Sequence, residues 1–182
     1  MNIALGLFTP ERLFPALVFA GLASAANASD PQVFSGMPVA VGNGTARVVV
    51  TVNGMDQPES VAVVMSQDAL QNLPAVQGEK MVWEFSLPMP EDGPNTGYNH
   101  VVLDWNPAGH VPEGVFNVPH FDVHFYLISG EEREAITFQG ADRELAMKAP
   151  DPQLVPAGYV VPPDAAVDRM GMHGLDPAGH EF

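Results

Sequence analysis

Apolar positions along this chain fall in short runs rich in Val, Phe, Tyr and Trp, broken by Gly, Pro and Asn. Runs of this length predict β-strands, here near Ala46–Val52, Glu59–Val64, Met81–Leu87, His100–Trp105, Phe121–Ile128 and Glu134–Phe138. Asn53-Gly54, Gly93-Pro94-Asn95, Asn106-Pro107 and Ser129-Gly130 punctuate them, and each is a turn-forming combination. The stretch Ile128 to Arg133 reads as a hairpin from the fifth strand to the sixth. Short helices are predicted at Gln67–Asn72, with Ser66 as N-cap, and at Ala141–Lys148. The expected fold is therefore all-β, mainly an antiparallel sandwich or barrel with one or two short helices. After Ala149, Pro150, Pro152, Pro156, Pro162, Pro163 and Pro177 exclude regular structure over most of the tail. Its Leu154, Val155, Tyr159, Val160, Val161, Met170 and Met172 are too apolar for a linker. An irregular C-terminal arm is expected, lying along the sheet and carrying Met170-Gly171-Met172-His173 back toward it.

The most chemically loaded run is Pro119-His120-Phe121-Asp122-Val123-His124-Phe125-Tyr126. On a strand, successive side chains alternate faces. His120, Asp122, His124 and Tyr126 then share one face, while Phe121, Val123, Phe125 and Leu127 share the other and suit a core. A row of imidazoles and a carboxylate has the chemistry of a metal or proton-transfer site.

Near the N-terminus the order is a base, an apolar run and small residues: Arg12, then Leu13 to Ala25, then Ala26-Asn27-Ala28. This is the layout of a secretory signal, and the run is shorter than the roughly 20 residues of a membrane span. Cleavage is expected after Ala28, with Ala25 as the competing position. Of 182 residues, 154 would remain beyond residue 28, one domain's worth. Residues 1–28 hold one acid, Glu11, and one base, Arg12, so the net charge of −15 survives cleavage. That charge disfavours nucleic acid and anionic membrane surfaces as partners, and favours cations. The protein is expected to be secreted or periplasmic, with no membrane span after signal removal.

There is no cysteine, which excludes disulfides, thiolate ligands and a thiol nucleophile. A metal would have to be held by His, Asp, Glu and water, a donor set that suits zinc first, then copper, manganese or iron. The six histidines, His100, His110, His120, His124, His173 and His180, all lie in the second half of the chain. On a strand, residues two apart stand about 6.7 Å apart and residues four apart about 13 Å. His120 and His124 are thus poorly placed to share an ion whose His bonds are about 2.1 Å long. A neighbouring pair, His120/Asp122 or Asp122/His124, is the better start, unless a bulge re-aims His120. A third donor must come from elsewhere: His173, between Gly171 and Gly174, or His110, after Gly109, with Glu113 and Glu134 weaker. Each has a plain structural reading as well: His120 as a strand cap, Asp122 as an orienting carboxylate, His110 as an exposed loop residue. His100 reads as a strand surface residue, and His180 as part of a loose terminus. No G-x-S-x-G elbow or Gly-rich phosphate loop is present, and Gly42-Asn43-Gly44 reads as a turn.

Longer motifs carry a family likeness. They are Leu103-Asp104-Trp105-Asn106-Pro107-Ala108-Gly109-His110, Gly114-Val115-Phe116-Asn117-Val118-Pro119 running on to Tyr126, Pro156-Ala157-Gly158-Tyr159, and Met170-Gly171-Met172-His173. Over about residues 98–182 the chain resembles the TTHB210-like family of exported, β-rich bacterial proteins of unassigned activity. The resemblance implies a β-rich exported fold and picks out His110, His120, Asp122, His124 and His173. The family pattern runs into further strands near Glu181-Phe182, where this sequence stops, so it implies a shortened member with an exposed sheet edge.

These readings give one leading expectation: a divalent metal bound through a histidine cluster of His120, Asp122, His124, His173 and His110. A structural protein whose histidines form a buried hydrogen-bond network, with a homo-oligomer covering the apolar arm, is the alternative. A barrel binding a small-molecule ligand is a third. The sequence names no reaction.

Overall fold

A computed structural model describes residues 30–163 and 165–179. The expected signal segment and His180 lie outside the described residues. Among them the chain forms antiparallel sheets with two short helices, and the all-β class holds. Among the same residues no helix is long and apolar enough to cross a membrane.

The first sheet is built on the Val-rich strand β3 (Gly44–Val52). One edge of β3 pairs along its length with β4 (Pro58–Met65). Its other edge is shared end to end by β1 (Gln32–Ser35) and β2 (Val39–Val41). Gly36 lies at the break between β1 and β2, where a Cβ would stand 2.4 Å from the Pro88 carbonyl oxygen. The turn from β2 to β3 has two residues and opens with Gly42 at φ 53°, the sign a type II′ hairpin requires at that position.

The second sheet has the order β5 (Trp83–Pro88), β6 (His100–Asn106), β7 (His120–Tyr126). The sheets share one core. Val41, Ala46, Val48 and Val50 of the first sheet cluster with Leu87, Val101 and Leu103 of the second. Side chains directly opposite in an antiparallel ladder lie on the same face. The register Phe85–Leu103–Val123 and Leu87–Val101–Phe125 therefore continues this apolar face across the sheet. It is covered over β5 and β6 but not at the edge strand β7, where Val123 and Phe125 are 44% and 38% exposed. The face expected to be the core side of this strand is thus its more open side. His124 and Tyr126, on the polar side, are half-buried.

The predicted hairpin at Ile128 to Arg133 and strand at Glu134–Phe138 are not formed. Helix α1 (Gly130–Glu134) stands there instead. Ser129 Oγ accepts from the Glu132 amide, and the Glu132 carboxylate accepts from the Ser129 amide at 2.8 Å. This reciprocal box, S-x-x-E, starts a helix and outcompetes the turn reading of Ser-Gly. Helix α2 (Asp142–Ala146) falls within its predicted span. Gln67–Leu70 is a 3-10 turn. The Ser66 hydroxyl does not cap it but accepts from the Thr45 amide of β3 at 3.0 Å.

The arm contains a small hairpin, β8 (Ala166–Val167) with β9 (Gly171–Met172). Arg169 at its turn reaches the carboxylate of Glu84 on β5, 2.6 Å from Nη1 to Oε2. Arg133 of α1 grips the same carboxylate at 3.0 Å. Helix and arm are thereby pinned to the polar face of the second sheet.

Candidate metal centre

The polar face of the second sheet is set by its register. Glu84, Asp104 and Asp122 lie side by side on β5, β6 and β7. Two residues on, Asn106 faces His120, and two residues the other way Val102 faces His124. Three carboxylates on neighbouring strands repel unless each finds a positive or hydrogen-bonding partner. Each does so differently. Glu84 takes the two arginines, Asp104 takes His124, and Asp122 takes His110, His120 and Asn106.

The group around Asp122 is the only set of three or more His, Asp or Glu among the described residues close enough to hold a metal ion. His120 and Asp122 come from the start of β7, and His110 comes from the loop after β6. That loop folds back tightly. Gly109 has φ 69°, and its amide donates to the Asn106 carbonyl, while the His110 amide donates to the Phe116 carbonyl at 2.8 Å. The result brings His110 Nε2 to 3.0 Å from Asp122 Oδ2 and 3.1 Å from His120 Nε2. His120 Nε2 stands 3.4 Å from Asp122 Oδ1.

The other nitrogen of each ring fixes the tautomer. His110 Nδ1 lies 2.7 Å from the Val111 carbonyl oxygen, and His120 Nδ1 lies 2.6 Å from that of Val118. A carbonyl can only accept, so both Nδ1 atoms carry the hydrogen. In the neutral rings both Nε2 atoms then present lone pairs, toward each other and toward a carboxylate. Three lone-pair donors converging without a hydrogen among them need a cation at their centre, either a metal ion or a shared proton. Buried Asn106 donates to Asp122 Oδ2 at 2.9 Å and holds the carboxylate in place. The ring of Phe116, with its centroid 5.4 Å from that of His110 and 6.0 Å from that of His120, forms one wall.

The remaining residues from the sequence-based set do not join this group. His124 is turned away, with Nδ1 donating to Asp104 Oδ2 at 2.8 Å. His173 bonds through Nδ1 to the carbonyls of Ala165 and Gly171, at 3.1 Å each. Of the two neighbouring pairs expected on the strand, the cluster is built on His120/Asp122, with His110 as the third donor. His100, read as a surface residue, is buried, stacked on Tyr126 with ring centroids 4.9 Å apart. Burial and the charge of Arg133 push its pKa down, with a backbone bond to Ile128 opposing them in part. Asp104, Asn106 and the Glu84 pairs were missed as site neighbours. The signal was the strand pairing itself, since register brings them opposite the histidine strand.

Residues 54–105 match the model of a protein family, TTHB210-like, described as Hypothetical protein TTHB210. The family suggested by the motifs is thus found again, on β4 to β6. That span overlaps the motif-bearing stretch only at residues 98–105. No curated protein and no solved structure matches the chain.

Proposed function

We propose that this protein is an exported domain that binds one divalent metal ion through His110, His120 and Asp122. One observation carries the reading. Both histidines commit Nδ1 to a backbone carbonyl and turn Nε2 to a common point with a carboxylate. That is how metal-ligating histidines are held, with the outer nitrogen fixing ring angle and tautomer. The donor chemistry suits a borderline or hard divalent ion, and a net charge of −15 favours cation capture. If a reaction occurs there, the ion would supply Lewis acidity, while Asn106 orients the carboxylate and Phe116 limits access from one side.

The test is elemental analysis of protein purified without a histidine tag, before and after reconstitution. About one equivalent of metal, lost in His110→Ala and His120→Ala, is expected. Less than about 0.2 equivalents after reconstitution would end the proposal. Metal binding should also raise thermal stability in a chelator-sensitive way, by about 2.7 kcal/mol at a hundredfold excess over Kd.

A second reading, a non-enzymatic structural role, is supported by the Asp104–His124 and Glu84–Arg133–Arg169 contacts, which tie strands, helix and arm together. It predicts destabilised variants with no dependence on metal. Export, a homo-oligomer and a small-molecule ligand belong to the proposal too. N-terminal sequencing of the secreted product and light scattering read the first two.

A further inference from the structure

We propose that the triad is a facial three-donor set for a six-coordinate divalent ion, and that its three remaining positions take a chelating, singly charged oxygen-donor ligand. This rests on the metal-binding reading above and adds its geometry.

The first support is angular. With bonds of about 2.1 Å, donors 3.1 Å apart subtend about 95° at a shared ion, and donors 3.0 Å apart about 91°. His120 Nε2 stands 3.4 Å from the other carboxylate oxygen, Oδ1, which a one-oxygen donor leaves free. A tetrahedral set would hold all three pairs at about 3.4 Å for the same bonds. The two pairs that share His110 Nε2, with His120 Nε2 and with Asp122 Oδ2, are closer to the right angles of an octahedral face.

The second support is the donor count. A closed structural zinc site takes four protein ligands. Here the group stops at three among the described residues. The next imidazole along β7, His124, is held by Asp104. Meanwhile the His110, Asp122 and His120 side chains keep 39%, 32% and 21% of their exposure, so the side opposite the protein is open. Two histidines and one carboxylate with open positions are the donor set of six-coordinate ions such as iron(II) and of open zinc centres alike, so the angles, not the count, favour the six-coordinate ion.

Charge selects the ligand. A divalent ion with one carboxylate leaves a single positive charge on the site. A monoanionic chelate with two oxygen donors neutralises it and fills two adjacent positions, leaving one for water.

The experiment is a cobalt(II) titration of the metal-free protein, followed by visible absorption, then addition of acetohydroxamate as the probe chelate. Expected is one equivalent bound, with the weak, pale absorption of six-coordinate cobalt(II), and a shifted spectrum on adding acetohydroxamate. An intense blue tetrahedral spectrum would overturn the facial geometry while leaving metal binding intact. A six-coordinate spectrum indifferent to acetohydroxamate would overturn the exchangeable positions. No cobalt uptake would overturn the underlying metal-binding reading itself. Asp122→Asn, nearly unchanged in shape, should weaken cobalt binding at least tenfold with the circular dichroism unaltered. Unchanged affinity in that variant would remove Asp122 from the donor set.

Discussion

His124 holds Asp104: ring Nδ1 donates to Oδ2 at 2.8 Å, and the carboxylate side chain is only 2% exposed. Its other oxygen has no hydrogen-bond partner among the described residues. A buried anion with one side-chain partner is costly to strand. His124→Ala should therefore destabilise the metal-free protein by about 3 kcal/mol in urea unfolding, the low end for breaking a buried pair, because the imidazole is itself part-exposed. Asp104→Asn should cost less, since it removes the buried charge while the amide oxygen can still accept from His124. Neither change should alter metal stoichiometry. Loss of the metal in His124→Ala would move this histidine into the donor set and refute the division of the polar face described here.

Glu84 receives two guanidinium groups that come from different parts of the chain. Arg133 Nη2 lies 3.0 Å from Oε1, and Arg169 Nη1 lies 2.6 Å from Oε2. The Arg133 side chain is 5% exposed and Glu84's is 22% exposed, so this contact is not a screened surface pair. Glu84→Gln should cost about 2–4 kcal/mol, because Arg133 stays buried with less compensation. Hydrogen exchange in residues 166–172 should speed up more than in β3, since the arm loses its anchor on the sheet. Uniform acceleration through both sheets would show that Glu84 serves the core rather than the arm.

The sheet strands were legible because their Val- and aromatic-rich runs are bounded by turns, and β3 to β7 lie where those runs predict. Ser129 shows how a local reading fails. Ser-Gly suits a turn, but the carboxylate three residues on converts Ser129 into a cap, and the helix wins. At β7 the alternation was read correctly, yet of its apolar face only Phe121 packs against the core, while Val123 and Phe125 stay exposed. Exposure there depends on β7 being an edge strand beyond the cover of the first sheet, and no pattern within seven residues encodes sheet order. For the site, strand spacing disfavoured a His120–His124 pair and left His110 and His173 both open. What chose His110 in the structure is the return of the Gly109 loop onto Phe116, a backbone contact that spacing cannot reveal.

His100 makes stability depend on pH. It is buried against Tyr126, and its pKa is lowered by burial and then by Arg133. Unfolded, it titrates near 6.5. Between that value and its depressed folded value the unfolded chain binds more protons than the native one, so stability rises with pH. This contribution is intact above about pH 6.5 and falls away as the solution is acidified through the folded pKa. In chelator, His100→Gln should flatten the slope of stability against pH in that window. A slope identical to that of the unaltered protein would mean that other groups set the acid response.

Gly109 tests whether loop geometry, apart from donor chemistry, builds the centre. Its φ of 69° is a conformation that side chains disfavour. A Cβ there would stand 2.1 Å from the Phe116 carbonyl oxygen, the same oxygen that accepts the His110 amide. The same Cβ would stand 2.7 Å from the Val118 nitrogen, so Gly109→Ala must push His110 and the Phe116–Val118 segment apart and shift His110 relative to His120 and Asp122. A displacement of about half an ångström is enough to spoil a preorganised site. Metal affinity should fall about 10- to 100-fold, the range seen when a ligand's support is removed. The cost in stability without metal should stay near 1–2 kcal/mol, since the strain is local. All three donors remain present in this variant, so a loss of binding isolates their arrangement. Wild-type affinity in Gly109→Ala would show that His110 reaches the ion without the loop, and that the bond from its amide to the Phe116 carbonyl is incidental.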